Sequence, residues 1–558
     1  MKKVKGIVAC LIVLSLASSL MACNQKTSGE INVRSKGKKA EETEKTEETE
    51  KTEKTTETTE ETTAETTAEP TTEPTSAPDG NFSAPKEGCK IEFPTKDVYH
   101  YDMTLKLDPT NNTVGGNIIF EFYNDSEDDW DQLCMRDYSS LFESDSMYGK
   151  DIKGALTTIE NIYDDRTGEL SYTRDSSDVS VIWIDLDETL KPGDWMTLSY
   201  DFTATVPEID DRYGVWEGIY NITNFYPILA EYVDGDWSHL AFYDEGECFY
   251  SEISKYNVTI EVPEDYIVLT SGEELSSEPV DGGVVYEYKA DYVRDFVFCA
   301  SNVFELETRE CDGYTVNVVY NKENPPVSDM SEAVDKTFYT CENSFKAFNE
   351  AFGAYPYPEL DVVLAPIAAG GMEYPNLIII NDDYCAGFYT TNDYETLEIC
   401  VAHEIGHQWF MGIVGSNSGG EPWLDESVTS YTELVYCEYV GGDLADNNLP
   451  ISSKETLDLS DADQAAQYGK CFPLDRPHDE FEGYAYVYGV YQVGKDMLYQ
   501  IEECLGTEEF HGVLREYVHR YAFTNANTHD FLEVLYEYAG YDNETLNNII
   551  ANCLQTEI

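Results

Sequence analysis

The chain holds eight histidines, and two of them stand four residues apart in "VAHEIGHQWF", with a glutamate directly after the first. On a helix, positions i and i+4 put the His403 and His407 imidazoles on one face, about one turn apart. That spacing suits two ligands of a single tetrahedral metal with metal–nitrogen distances of about 2 Å. Glu404 lies at the edge of the same face, where it can serve a metal-activated water as general base without being a ligand. The plain alternative is a chance H-E-x-x-H word on an amphipathic helix, which so few histidines make uncommon.

A catalytic site of this kind needs a third protein ligand and an open fourth position. "EPWLDESVTSYTELVY" offers Glu426, separated from His407 by 18 residues, enough for one loop and an antiparallel return. Two histidines and a carboxylate also describe a non-haem iron triad. The glutamate built into the helix favours zinc, one ion per chain. Cys400 falls on this face three residues before His403 and reads as a small buried apolar residue.

These residues need a scaffold. From Cys89 to about Glu305 the chain alternates with period two in runs such as "YHYDMTLKLD", "WMTLSYDFTATV" and "KYNVTIEVP", split by Asp, Asn, Gly and Pro turns. Such runs predict an all-β saddle or sandwich over 86–308. The period then changes. Met330, Val334, Phe338, Cys341, Phe345 and Phe348 recur at helical spacing, predicting a helix with an apolar stripe. The strand-like "ELDVVLAP" leads through "IAAGGMEYPNLIII" into a largely helical remainder, so 309–558 reads as an α+β domain. "DYETLEICVAHEIGHQWFMGIVG" reads as one helix ending near Gly415.

"HEIGHQWF", Glu426 in "WLDES" and the upstream "GGMEY" together resemble the aminopeptidase N family of zinc metallopeptidases. These are gluzincins with a thermolysin-like catalytic domain, and they include the leukotriene hydrolase. The resemblance implies His403, His407 and Glu426 as zinc ligands and Glu404 as general base. The family's Gly-Ala-Met-Glu-Asn word stands here as Gly370, Gly371, Met372, Glu373 and Tyr374. It implies that Glu373 holds a free amino terminus while the backbone of the word runs beside the substrate. The family's tyrosine, three residues before a glycine, donates to the oxyanion. Tyr491 keeps that spacing before Gly494, with Tyr488 second. The implied activity is hydrolysis of the first peptide bond of peptides with a free N-terminus. Endopeptidase action, a dual epoxide hydrolase and a non-catalytic surface lipoprotein are the alternatives. Many family members continue into a C-terminal helical domain that roofs the site; a chain ending at Ile558 is expected to have a more open cleft.

The other end of the chain bears on location. Lys2, Lys3 and Lys5 precede an apolar run from Ile7 to Leu20, shorter than the roughly 20 residues needed to span a bilayer, which reads as a signal peptide over 1–22. Leu20-Met21-Ala22-Cys23 resembles the bacterial lipobox, implying a lipidated Cys23 and an exported protein held on the outer face of the cell membrane. Residues 23–85 follow as a tether. Between Glu41 and Glu73 it carries 13 Glu against 3 Lys among threonines, a composition with almost nothing to bury. The formal net charge of −73 excludes nucleic acid and bare anionic membrane as expected partners.

Overall fold

The computed structural model describes residues 88–556 apart from 144–155, 234, 239–245, 247–248, 387–393 and 442–468. The leader, Cys23 and the Thr/Glu tether lie outside the described residues.

Strict alternation builds the first body. In β1 (Tyr99–Asp108), Tyr99, Tyr101, Met103, Leu105 and Leu107 are buried, while Asp102, Thr104 and Lys106 face solvent. The neighbours in its sheet are β2 (Thr113–Tyr123), β3 (Thr158–Asp164), β4 (Gly168–Glu169), β5 (Trp195–Thr205), β6 (Ser254–Val262), β7 (Glu273–Val280) and β8 (Gly283–Val293). The order is β7-β8-β6-β1-β2-β5-β3-β4. The β1–β6 pair is parallel and the others antiparallel. Two four-stranded sheets, one containing Phe298–Ser301 and the other Trp130–Arg136, and a two-stranded pair, Tyr232–Val233 with Asp236–Trp237, belong to this body as well. Stacked rings fill the space behind β1, with Tyr101 centred 4.2 Å from Phe120 and 4.9 Å from Tyr256.

The second body begins earlier than 309. β9 (Phe304–Cys311) runs through that position and turns at Asp312-Gly313 into β10 (Tyr314–Asn321), its antiparallel partner. The pairing assigns β9 to the second sheet and moves the boundary to about Asn302. With β11 (Glu359–Ala365), β12 (Gly371–Met372) and β13 (Leu377–Asn381), the order is β9-β10-β11-β13-β12. β10, β11 and β13 run parallel, and the two-residue β12 closes the edge antiparallel to β13. A parallel pair needs a long crossover, supplied between β10 and β11 by α1 (Ser331–Phe352). Its apolar stripe, Met330 to Phe348, is buried as its spacing requires. The helices α2 (Glu395–Gly406), α3 (Trp423–Tyr439), α4 (Gly494–Leu505), α5 (Thr507–Tyr521), α6 (Thr528–Ala539) and α7 (Glu544–Cys553) follow.

The helix expected to reach Gly415 ends sooner. α2 stops at Gly406, His407 keeps helical angles, and a wide turn over Gln408–Ile413 is closed by Gly412 N–H to His407 C=O at 2.8 Å. Packing explains the widening, because Trp409 and Phe410 are consecutive and both buried. Trp409 donates its indole N–H to Gly353 O at 2.9 Å, and the Phe410 ring packs 5.0 Å from Phe352.

The two bodies meet along this turn. Arg294, from the end of the first body, donates Nε–H to Met411 O at 2.6 Å and Nη2–H to Thr524 O at 2.6 Å. Its Nη1 serves Ser251 O and Asn525 Oδ1. A Cβ on Gly415 would stand 2.0 Å from the Arg294 guanidinium carbon, so only glycine admits the side chain here. Among the described residues no helix is long and apolar enough to cross a membrane.

Candidate metal centre

α2 and α3 pack side by side and bring three candidate ligands together. His403 Nε2 lies 3.1 Å from His407 Nε2 and 3.3 Å from Glu426 Oε2, and His407 Nε2 is 3.3 Å from the same oxygen. A tetrahedral ion with bonds of 2.0–2.1 Å requires ligand atoms separated by about 3.3 Å. The triangle therefore fits one zinc ion, and the third side of the triad comes from the first turn of α3, as the 18-residue gap requires.

The outward nitrogens are also held. His403 Nδ1 meets Glu433 Oε1 at 2.9 Å, and Lys495 Nζ donates to the other oxygen of Glu433 at 3.0 Å. His407 Nδ1 lies 2.8 Å from Asp425 Oδ1 and 3.0 Å from Thr429 Oγ1. Ser418 in turn donates to Asp425 Oδ2 at 2.7 Å. Such partners fix ring orientation and leave both Nε2 atoms free to hold an ion with Glu426. The sequence reading missed Asp425, Thr429, Glu433 and Lys495. Glu426, Thr429 and Glu433 stand at i, i+3 and i+7, so one polar face of α3 was the available signal.

The charges agree with this assignment. Burial opposes a charge on His403, but hydrogen bonds to Glu426 and Glu433 outweigh it and lift the imidazole to about 9. Burial alone would raise Glu426, yet the charge of His407 and hydrogen bonds to both histidines hold it far below the ordinary carboxylate range. The buried carboxylates beside the imidazoles thus favour positive charge at this point, the electrostatic condition for a divalent cation.

Glu404 is not among the three. Its carboxylate lies against Gly371, where a Cβ would stand 2.1 Å from Oε1. The glycine that departs from the family's alanine is thus the one that leaves room for Glu404. Cys400 is half-buried rather than buried, and its thiol donates to Gly370 O at 3.2 Å and lies 3.9 Å from Glu404 Oε1. It links the metal helix to the strand beside it. Met372 is buried in β12, and Glu373 follows, only 5% exposed. Glu373 lines a cavity of about 50 Å³ with Asp425, Asp295, Asn224 and Arg294. A carboxylate oxygen of Glu373 lies within 4.8 Å of ligand atoms of His407 and Asp425.

Tyr491 reaches the centre as well. Its hydroxyl donates to Glu426 Oε1 at 2.6 Å, and its ring stacks on His403 with centroids 6.1 Å apart. It lies in a wide helical turn, Tyr488–Val493, leading into α4. Tyr486 is a core residue, 2% exposed and packed 4.0 Å from the His478 ring.

Residues 336–553 match the Peptidase family M1 domain. This stretch, which carries the triad, Glu404 and Tyr491, is 218 of the 558 residues and is similar to M1 peptidase domains. The chain is 27% identical to Aminopeptidase M1-B of Oryza sativa subsp. japonica over 51% of its own length and 33% of that protein. It is 25% identical to Aminopeptidase N of Streptomyces lividans over 52% of this chain and 34% of the relative. Leukotriene A-4 hydrolase of Xenopus laevis is also 25% identical, over 52% and 45% of the two chains. The matched stretch thus spans about a third of the length of the first two relatives. The fold is similar to the M1 zinc metallopeptidase of Deinococcus radiodurans, with a TM-score of 0.56, 16% identity, and coverage of 83% of this chain and 94% of that one.

Proposed function

We propose that this protein is a zinc-dependent aminopeptidase that hydrolyses the first bond of peptides with a free N-terminus. The triangle of His403, His407 and Glu426, with edges of 3.1, 3.3 and 3.3 Å, carries the reading. Zinc, when bound, supplies a Lewis acid that polarises a carbonyl and brings the pKa of water toward neutrality. Glu404 then takes the proton of the attacking water and returns it to the leaving amine. Gly371 gives that carboxylate its place. The Tyr491 hydroxyl, which here lies on Glu426, donates to the developing oxyanion. Glu373, in a cavity also lined by Asp295 and Asp425, holds the protonated α-amine and sets which bond is attacked. Among the described residues lining that cavity Arg294 is the one cation, and it spends its donors on carbonyl and amide oxygens.

Glu404→Gln tests the division of roles. It should abolish turnover of an amino-acid anilide and keep one zinc per chain by metal analysis; loss of the zinc would make Glu404 a ligand. The lipobox supports a second part of the proposal, an exported enzyme tethered to the outer face of a bacterial membrane through Cys23. Cys23→Ser should move the protein from the membrane to the soluble fraction with unchanged specific activity. Retention after a high-salt wash would reject that anchor.

A further inference from the structure

Position 374 is where the chain departs from the family's asparagine, and the tyrosine there leaves its own domain. Tyr374 is 5% exposed. Its hydroxyl lies 2.8 Å from Thr223 Oγ1 and 3.0 Å from Asn224 Oδ1, both in the all-β body, so one hydrogen is shared by two acceptors. Those acceptors are themselves fixed. Thr223 donates to Arg212 O at 2.8 Å. Asn224 donates to Asp295 Oδ2 at 3.2 Å, and Tyr226 OH and Phe296 N–H hold Asp295 Oδ1 at 2.7 and 2.8 Å.

The backbone of the same residue is tied to the metal helix. Gln408, directly after His407, donates Nε2–H to Tyr374 O at 3.2 Å and accepts Asn376 N–H at 2.9 Å. Glu373 therefore sits between two anchors. One is Gln408, on the metal side, and the other is the all-β body, reached through a tyrosine side chain. Asn224, Asp295, Glu373 and Tyr374 all line the one cavity.

We infer that Tyr374 is a positioning residue through which the N-terminal body sets Glu373 against the α-amine of the substrate. This rests on the reading of Glu373 as amine anchor. A merely structural tyrosine would stabilise the fold and leave selectivity alone. A positioning one controls the KM for free-amine substrates, because the carboxylate it places acts on that group only. Losing a buried hydroxyl contact of this kind is worth about a fivefold to tenfold change in binding.

The test compares kcat and KM for one peptide with a free and with an N-acetylated terminus, in wild type, Tyr374→Phe and Thr223→Val. Tyr374→Phe should raise KM for the free peptide about fivefold to tenfold and keep kcat within about twofold. The acetylated peptide and the zinc content should not respond. Thr223→Val, which alters only the all-β body, should move the same KM in the same direction by less. If wild type prefers the free peptide and both variants keep that preference, the positioning role is overturned. If wild type shows no preference, the amine-anchor reading of Glu373 falls first and this inference goes with it.

Discussion

At the scale of single residues, the cluster of His403, His407 and Glu426 was legible because the chemistry of a shared ion fixes the spacing of its ligands. Two imidazoles on one face of a helix can share an ion only at a few separations, and the proposed base stands between them. Their outer partners were not legible, because a buried Glu433 or Asp425 looks like any helical acid until α3 lies beside α2. Glu433→Ala should weaken zinc binding about tenfold to hundredfold by competition with a chelator; unchanged affinity would reduce Glu433 to a structural ion pair with Lys495. Tyr491 and Tyr488 were separated by family spacing alone. The Tyr491 hydroxyl lies on Glu426 Oε1, which supports Tyr491 as the proposed donor. Tyr491→Phe should lower kcat about 10²–10³-fold with little change in KM. A comparable loss in Tyr488→Phe and none in Tyr491→Phe would reassign the donor.

At the scale of elements, alternation identified the β-rich body and helical spacing identified α1, since each period maps directly onto one buried face. Two boundaries were hidden. β9 continues across the expected domain limit because a hairpin with β10, not its own composition, decides which sheet it joins. The metal helix stops after His407 because Trp409 and Phe410 must both be buried, a demand made by α1 and invisible in the local pattern. The contact between β12 and α2 yields a sharp prediction. Gly371→Ala puts a methyl group where Glu404 Oε1 now lies, so that carboxylate must shift. The family's alanine at this position accompanies a working glutamate, and the carboxylate is the free end of a flexible side chain, so turnover should stay within about tenfold of wild type with zinc still bound. A loss of about 10²-fold or more would mean that Glu404 cannot act from a shifted position in this chain.

At the scale of the whole molecule, composition foretold an acidic protein but not where the acid would be buried. Burial raises Asp295 to about 7, against the hydrogen bonds of Tyr226 and Phe296. Burial, helped by Asp383 and Glu217, also raises Asp382 to about 7. Both carboxyls keep a proton in the folded chain that an unfolded chain releases near pH 3.9, so the folded state binds more protons between those values. Their contribution to stability should therefore decline as pH rises from about 4 to about 7 and level off above. Melting followed at pH 5 and pH 7.5 should give the higher Tm at pH 5, and the Asp295→Asn, Asp382→Asn double variant should narrow the gap. An identical gap in the double variant would show that other groups govern it.

The central claim joins the metal triad, the base and the amine anchor in one act, removal of the first residue from a peptide with a free N-terminus. The most direct measurement digests a matched pair of peptides, free and N-acetylated, and reads the products by mass spectrometry with and without a zinc chelator. A charge-assisted hydrogen bond of about 1.5–3 kcal/mol between Glu373 and the α-amine predicts stepwise loss of N-terminal residues, roughly tenfold to hundredfold faster from the free peptide and abolished by the chelator. Internal cleavage at equal rates in both peptides would contradict the aminopeptidase and leave a zinc endopeptidase in its place.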